Sequence, residues 1–193
     1  MMDESQALCK KLIDAAHDGD LKTIREIVAS GFDLSTPNNL SESILSAAIF
    51  ELSFIGEEEP YRYEVIKLLL ELGANPNQLD DEKSGSLTDA MLMRDTEMIR
   101  ILLEAGAKPN EFGGFSESES FYDYAEFDYR FCIWDLHLPE KIPENISDDE
   151  NVWLLWLDEM AVKYQRRRPD YLFLFREYGA KTWAELRNEN LGE

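Results

Sequence analysis

The sequence predicts an all-α fold: a helical repeat solenoid of about four repeats, carrying one helical insertion, in a single domain of 193 residues. Two observations predict it. An amphipathic helix closed by a glycine occurs three times, over residues 20–35, 62–77 and 95–110, with Gly31, Gly73 and Gly106 in matching places. The glycines also keep a period, 33 residues from Gly73 to Gly106 and 42, or 33 plus 9, from Gly31 to Gly73. Fixed periods of this size mark stacked repeats. Apolar residues make up 44% of the chain and aromatic residues 11%, enough to build a packed core.

Each element follows from local pattern. Seven residues before the glycines stand Ile24, Ile66 and Ile99, four before them Ile27, Leu69 and Leu102, and three before them Val28, Leu70 and Leu103. That is one apolar stripe at helical spacing, used three times. The glycine fits the left-handed position that ends a helix. A weaker copy, Asp170 to Gly179, lies with its glycine 73 residues after Gly106. The expected helix pairs are 5–18 with 21–30, 43–54 with 62–72, 86–93 with 96–105, and 120–133 with 170–178. Asp3-x-x-Gln6 is expected to cap the first. Loops are expected near 34–42, 76–85 and 109–119, and a short insertion near 55–60.

The fourth pair is split by an insertion at 133–168, which carries its own helix. Ser147-Asp-Asp-Glu150 is a capping-box pattern. Trp153, Trp156, Leu157, Met160 and Tyr164 then recur on one face, and Arg166, Arg167 and Arg168 are expected in the last turn, before Pro169. This helix is expected to cover the apolar end of the last repeat.

Leu68-Leu-Leu-Glu-Leu-Gly-Ala-Asn-Pro-Asn77 and Leu102-Leu-Glu-Ala-Gly-Ala-Lys-Pro-Asn110 resemble the second helix and loop of an ankyrin repeat, and Ala15-Ala-His-Asp-Gly19 resembles the turn before that helix. The resemblance covers residues 7–131 and 169–183. It implies ankyrin repeats at about 5–35, 43–77, 86–110 and 120–183. The family's Thr-Pro-Leu-His signature is reduced to Ser86-Leu87-Thr88 in the third unit, and Arg94 stands where the family places a turn glycine.

Charge restricts the partners. Nineteen Lys and Arg against 40 Asp and Glu leave a net −21, which repels phosphate backbones and anionic lipid. The longest apolar run, 152–157, is too short to span a bilayer, and the N-terminal residues have no signal-peptide pattern. Two cysteines, Cys9 and Cys132, without a pairing motif fit a reducing compartment, so a cytoplasmic location is expected. His17 and His137 have no companions at ligand spacing, so neither a metal nor a cofactor is expected. No nucleophile elbow or phosphate-cradling loop is present, and Gly113-Gly114 is only a turn signal. An enzyme is therefore not expected.

Acidic clusters are the stronger signal: Glu57 to Glu59, Asp80 to Glu82, and the stretch 111–129 with six acids, seven aromatics and no Lys or Arg. The resemblance implies a concave protein-binding face, on which Asp80, Asp81 and Glu82 occupy a loop tip and Glu117, Glu119, Tyr122, Asp123 and Glu126 continue the surface. Tyr122 is the expected aromatic anchor, whereas Phe121, Tyr124 and Phe131 are expected in the core. The expected function is non-enzymatic binding of a protein with a basic surface, as a dedicated inhibitor resembling the immunity proteins of bacterial toxin systems. A general scaffold, and an enzyme or ligand-binding protein using the 133–168 insertion, are the alternatives.

Overall fold

The computed structural model describes residues 4–55, 59–114, 116, 118–132, 135–137 and 149–191. Its secondary structure is all helical, with only two isolated antiparallel bridges among the described residues. The elements are α1 (Glu4–His17), α2 (Leu21–Ala29), α3 (Ile44–Leu52), α4 (Tyr61–Glu71), α5 (Ser86–Leu92), α6 (Thr96–Glu104), α7 (Phe121–Phe131), α8 (Glu150–Lys163), α9 (Asp170–Glu177) and α10 (Trp183–Leu191). The chain divides into two compact units, Met1–Phe112 and Gly113–Glu193.

In the first unit α1, α3 and α5 pack in succession, α4 packs on α2 and α6, and each odd helix packs on the even helix that follows it. The stripe explains this arrangement. Ile24, Ile27, Ile66, Leu69, Ile99 and Leu102 are all buried, while Val28 and Leu70 lie half-buried at its edge. Helix α3 is buried on almost every side, through Ile44, Leu45, Ser46, Ala47, Ala48, Ile49 and Leu52. Such an all-round apolar helix belongs between neighbours rather than at a surface.

The glycines end helices as expected. Gly73 and Gly106 have φ of 101° and 93°, one residue past the caps of α4 and α6. The turn before α6 is instructive. Arg94 has φ 56°, and Gly19, before α2, has φ 68°. Each is followed by an aspartate N-cap, Asp95 and Asp20, whose side chain accepts from the amide three residues on. The arginine thus holds a conformation suited to glycine, at a cost of roughly 1–2 kcal/mol.

In the second unit α7 packs on α9. The buried face of α7 is Phe121, Tyr122, Ala125 and Tyr129. This corrects the expectation for the core: Phe131 is exposed and Tyr124 half-buried. The helix carries two aromatic sides, Phe121, Tyr122 and Tyr129 on one and Tyr124, Phe127 and Phe131 on the other; packing on α9, where Phe121 meets Phe175 and Tyr129 meets Tyr171, buries the first.

Helix α8 buries Trp153, Leu154, Trp156, Leu157, Met160 and Ala161. Its cap is Asp149, which accepts from the amides of Asn151 and Val152; Ser147 and Asp3 lie outside the described residues. The helix ends at Lys163, before the arginines. Arg168 turns back to Asp158 through two bonds of 2.6 and 2.7 Å, so its charge serves an ion pair rather than the helix end. Helix α10 was not expected, although Thr182-x-x-Glu185 opens it with a reciprocal capping box.

Candidate functional site

The expected binding residues fall into both units. In the first unit the chain 79–85 forms a finger closed by an antiparallel bridge between Leu79 and Gly85. Asp80 builds it. One carboxylate oxygen accepts from the amides of Glu82 and Ser84, both at 2.9 Å. The backbone of Asp80 pairs with Ser84 and accepts from Lys83, which takes φ 59°. Asp80 is therefore a brace, and Asp81 and Glu82 stand exposed at the tip it fixes.

The same finger occurs 42 residues earlier, at the spacing that separates Gly31 from Gly73. Asn38 Oδ1 accepts from the amides of Leu40 and Glu42 at 2.9 and 3.0 Å, and Ser41 takes φ 66°. The side-chain oxygen of Asn or Asp mimics a turn carbonyl, so either residue serves. The tips differ in chemistry: Asn39-Leu40 on the first finger, Asp81-Glu82 on the second.

At the base of the second finger Glu42, Asp80 and Asp89 line a cavity of about 40 Å³ with Ser43, Ser46 and Ser84. Burial pushes the Asp89 carboxyl up to about 6; the Ser46 hydroxyl opposes the rise, and the Glu42 and Asp80 charges add to it. Asp89 therefore takes up a proton as the pH falls through about 6.

In the second unit Tyr122, Asp123 and Glu126 do converge, around a cavity of about 280 Å³ that is also lined by Arg130, Glu150, Trp153 and Thr182. Their roles differ from the expectation. Tyr122 is 1% exposed, and its hydroxyl donates to Glu150 Oε1 at 2.7 Å, so it is a core side chain and not a surface anchor. Asp123 closes the capping box with Ser120 and accepts from the Trp183 amide at 2.7 Å. Glu126 takes the Trp153 indole N–H at 3.0 Å and the Arg130 guanidinium at 2.5 Å. Burial raises the carboxyls of both Glu126 and Glu150, against the bonds they accept and the neighbouring Arg130 and Arg176 charges. These residues staple α8 and the start of α10 onto α7.

Glu119 is half-buried and engaged with protein partners; Glu117, Glu57 and Glu58 lie outside the described residues. Cys9 is buried, and desolvation raises its thiol, which suits packing and not nucleophilic attack. His17 places Nδ1 3.6 Å from Glu51. Among the described residues no group of three or more His, Cys, Asp and Glu is arranged to hold a metal ion, and no helix is long and apolar enough to cross a membrane. The signal that could have found the finger in sequence is the recurrence of Asn38 and Asp80 at the glycine spacing. No protein-family model matches the chain, and no curated protein matches it significantly.

Proposed function

We propose that this chain is a non-enzymatic protein-binding module, an ankyrin-type repeat stack that acts in the cytoplasm as a dedicated acidic inhibitor of a basic protein, in the manner of the immunity proteins that neutralise bacterial toxins. One observation carries the reading: the second finger spends Asp80 on its own backbone and presents Asp81 and Glu82 to solvent on a fixed tip. Charges held on a braced loop lose little freedom on binding, so they suit capture of a basic surface. The net −21 steers such a partner toward them. Helix pairs that end in equivalent glycines, with fingers repeating at 42 residues, support the repeat stack.

The test begins by co-purifying the protein from its native host and identifying what it carries. Binding kinetics then follow at two salt concentrations. Removing the two tip charges with Asp81→Asn and Glu82→Gln slows association more than it speeds dissociation. The difference shrinks in 1 M salt, where the Debye length is about 3 Å. An association rate indifferent to salt and to both substitutions refutes the acidic-capture reading.

A further inference from the structure

The first finger, α1 and α3 enclose a groove of about 530 Å³ that the acidic tip does not account for. Its walls include Cys9 and Ile13 of α1, Ala47 and Phe50 of α3, and Leu40 of the finger tip. Two of these side chains are large, apolar and left in water: Leu40 is 69% exposed and Phe50 48%. Phe54, just past α3 and 69% exposed, stacks edge to face on Phe50 with ring centroids 5.2 Å apart, extending the apolar strip beyond the groove. Leu40 is not placed there by chance of a loose loop. Asn38 pins the finger through its backbone amides, and Gln6 of α1 donates to Pro37 O at 3.2 Å. A braced finger holding a leucine in solvent is a costly arrangement for a free surface.

The rim carries the charge. Among the described residues that line the groove, Asp14, Glu42 and Glu51 carry negative charge and Lys10 positive charge, its ammonium on Asp14 at 2.6 and 2.9 Å, while His17 stands 3.6 Å from Glu51 at the edge. An apolar floor with an acidic rim complements a segment of opposite design.

We propose that this groove is a docking site for a basic segment of the partner protein, which inserts one large apolar side chain between Leu40 and Phe50 and lays flanking lysines or arginines against Glu42 and Glu51. The inference rests on the acidic-capture reading and adds to it the chemistry that the partner must show. Charge alone brings the partner near; the apolar insertion selects it.

The test uses the full chain and a fluorescent peptide with one tryptophan between lysines, beside two controls, one with the tryptophan replaced by serine and one with the lysines replaced by glutamates. Fluorescence anisotropy is read for the parent protein and for Leu40→Ser and Phe50→Ser. Both positions are exposed and the substitutions leave the charge unchanged, and thermal melting checks that the variants remain folded. The parent is expected to bind the tryptophan peptide about tenfold or more tightly than the serine peptide, as for a buried aromatic anchor. That advantage disappears in Phe50→Ser, and the glutamate peptide does not bind.

Equal affinity for the tryptophan and serine peptides, or an advantage that survives both substitutions, overturns the groove. If binding then still falls with salt and on removing the Asp81 and Glu82 charges, acidic capture stands without it. No binding of any lysine peptide also overturns the proposal. So does a parent dimer in sedimentation that Phe50→Ser converts to monomer, which would assign the groove to a second copy of the chain.

Discussion

Replacing Asp89 with asparagine removes a charge that the fold holds at a loss. The carboxyl is half-buried in α5, faces Glu42 and Asp80 across a cavity of about 40 Å³, and is raised from 3.8 to about 6. A rise of about 2 pH units corresponds to about 3 kcal/mol, at 1.36 kcal/mol per unit. The sign follows from linkage. Because the folded state holds this proton more tightly than the unfolded chain, its contribution is greatest below pH 3.8 and is lost as pH climbs through about 6. Asp89→Asn keeps the shape and cannot ionise. It should therefore match the parent near pH 3.5 and exceed it by up to about 3 kcal/mol at pH 7.5. Urea unfolding of both proteins at the two pH values measures the difference, and acids remote from Asp89 cancel in the comparison. A variant no more stable than the parent at pH 7.5, or a gain that is the same at both pH values, refutes the argument that burial and like charge strain Asp89.

Two further outcomes test the framework. Gly73→Val and Gly106→Val should each lose about 1 kcal/mol or more in thermal unfolding, because a β-branched residue is strained at φ near 100° even though nothing lies within 4 Å of the added carbon; two unchanged melting curves would mean that these helices do not depend on their glycine ends. Tyr122→Phe should cost about 1 kcal/mol, because it leaves the half-buried Glu150 carboxylate without its phenol donor; an unchanged stability would show that α8 does not rely on this bond.

The parts legible in the sequence are those decided by neighbours in the chain. The stripe Ile24, Ile66, Ile99 and the glycines after it are local signals, and the helices and their ends follow from them. The braces were illegible for the opposite reason. Tyr122 meets Glu150 28 residues away, and Asp123 meets the Trp183 amide 60 residues away. No spacing rule links such positions, so an acidic, aromatic stretch read as surface proved to be stapling. In α7 the buried face differs from the expected one because the helix has two aromatic sides, and the choice between them is made by Phe175 and Tyr171 of α9, more than 40 residues away. Two further local signals are present in the sequence: the capping box Thr182-x-x-Glu185 and the second appearance, at Asp80, of the turn made by Asn38.

The pairing of Arg62 with Asp95 bears on how the first unit comes apart. The two side chains are 6% and 11% exposed, and Arg62 Nη2 donates to Asp95 Oδ2 at 2.7 Å. The other oxygen of the same carboxylate accepts from the Met98 amide at 3.0 Å and so caps α6. One residue thereby starts α6 and also anchors α4. Losing α4 would leave the Asp95 charge buried without its counterion and loosen the first turn of α6 with it; such a break costs about 3–5 kcal/mol. Repeat arrays often fray from their ends one unit at a time. Here the shared carboxylate binds neighbouring pairs into one cooperative block, so amide hydrogens in the first turn of α6 should exchange with solvent only when α4 also opens, rather than by independent unravelling.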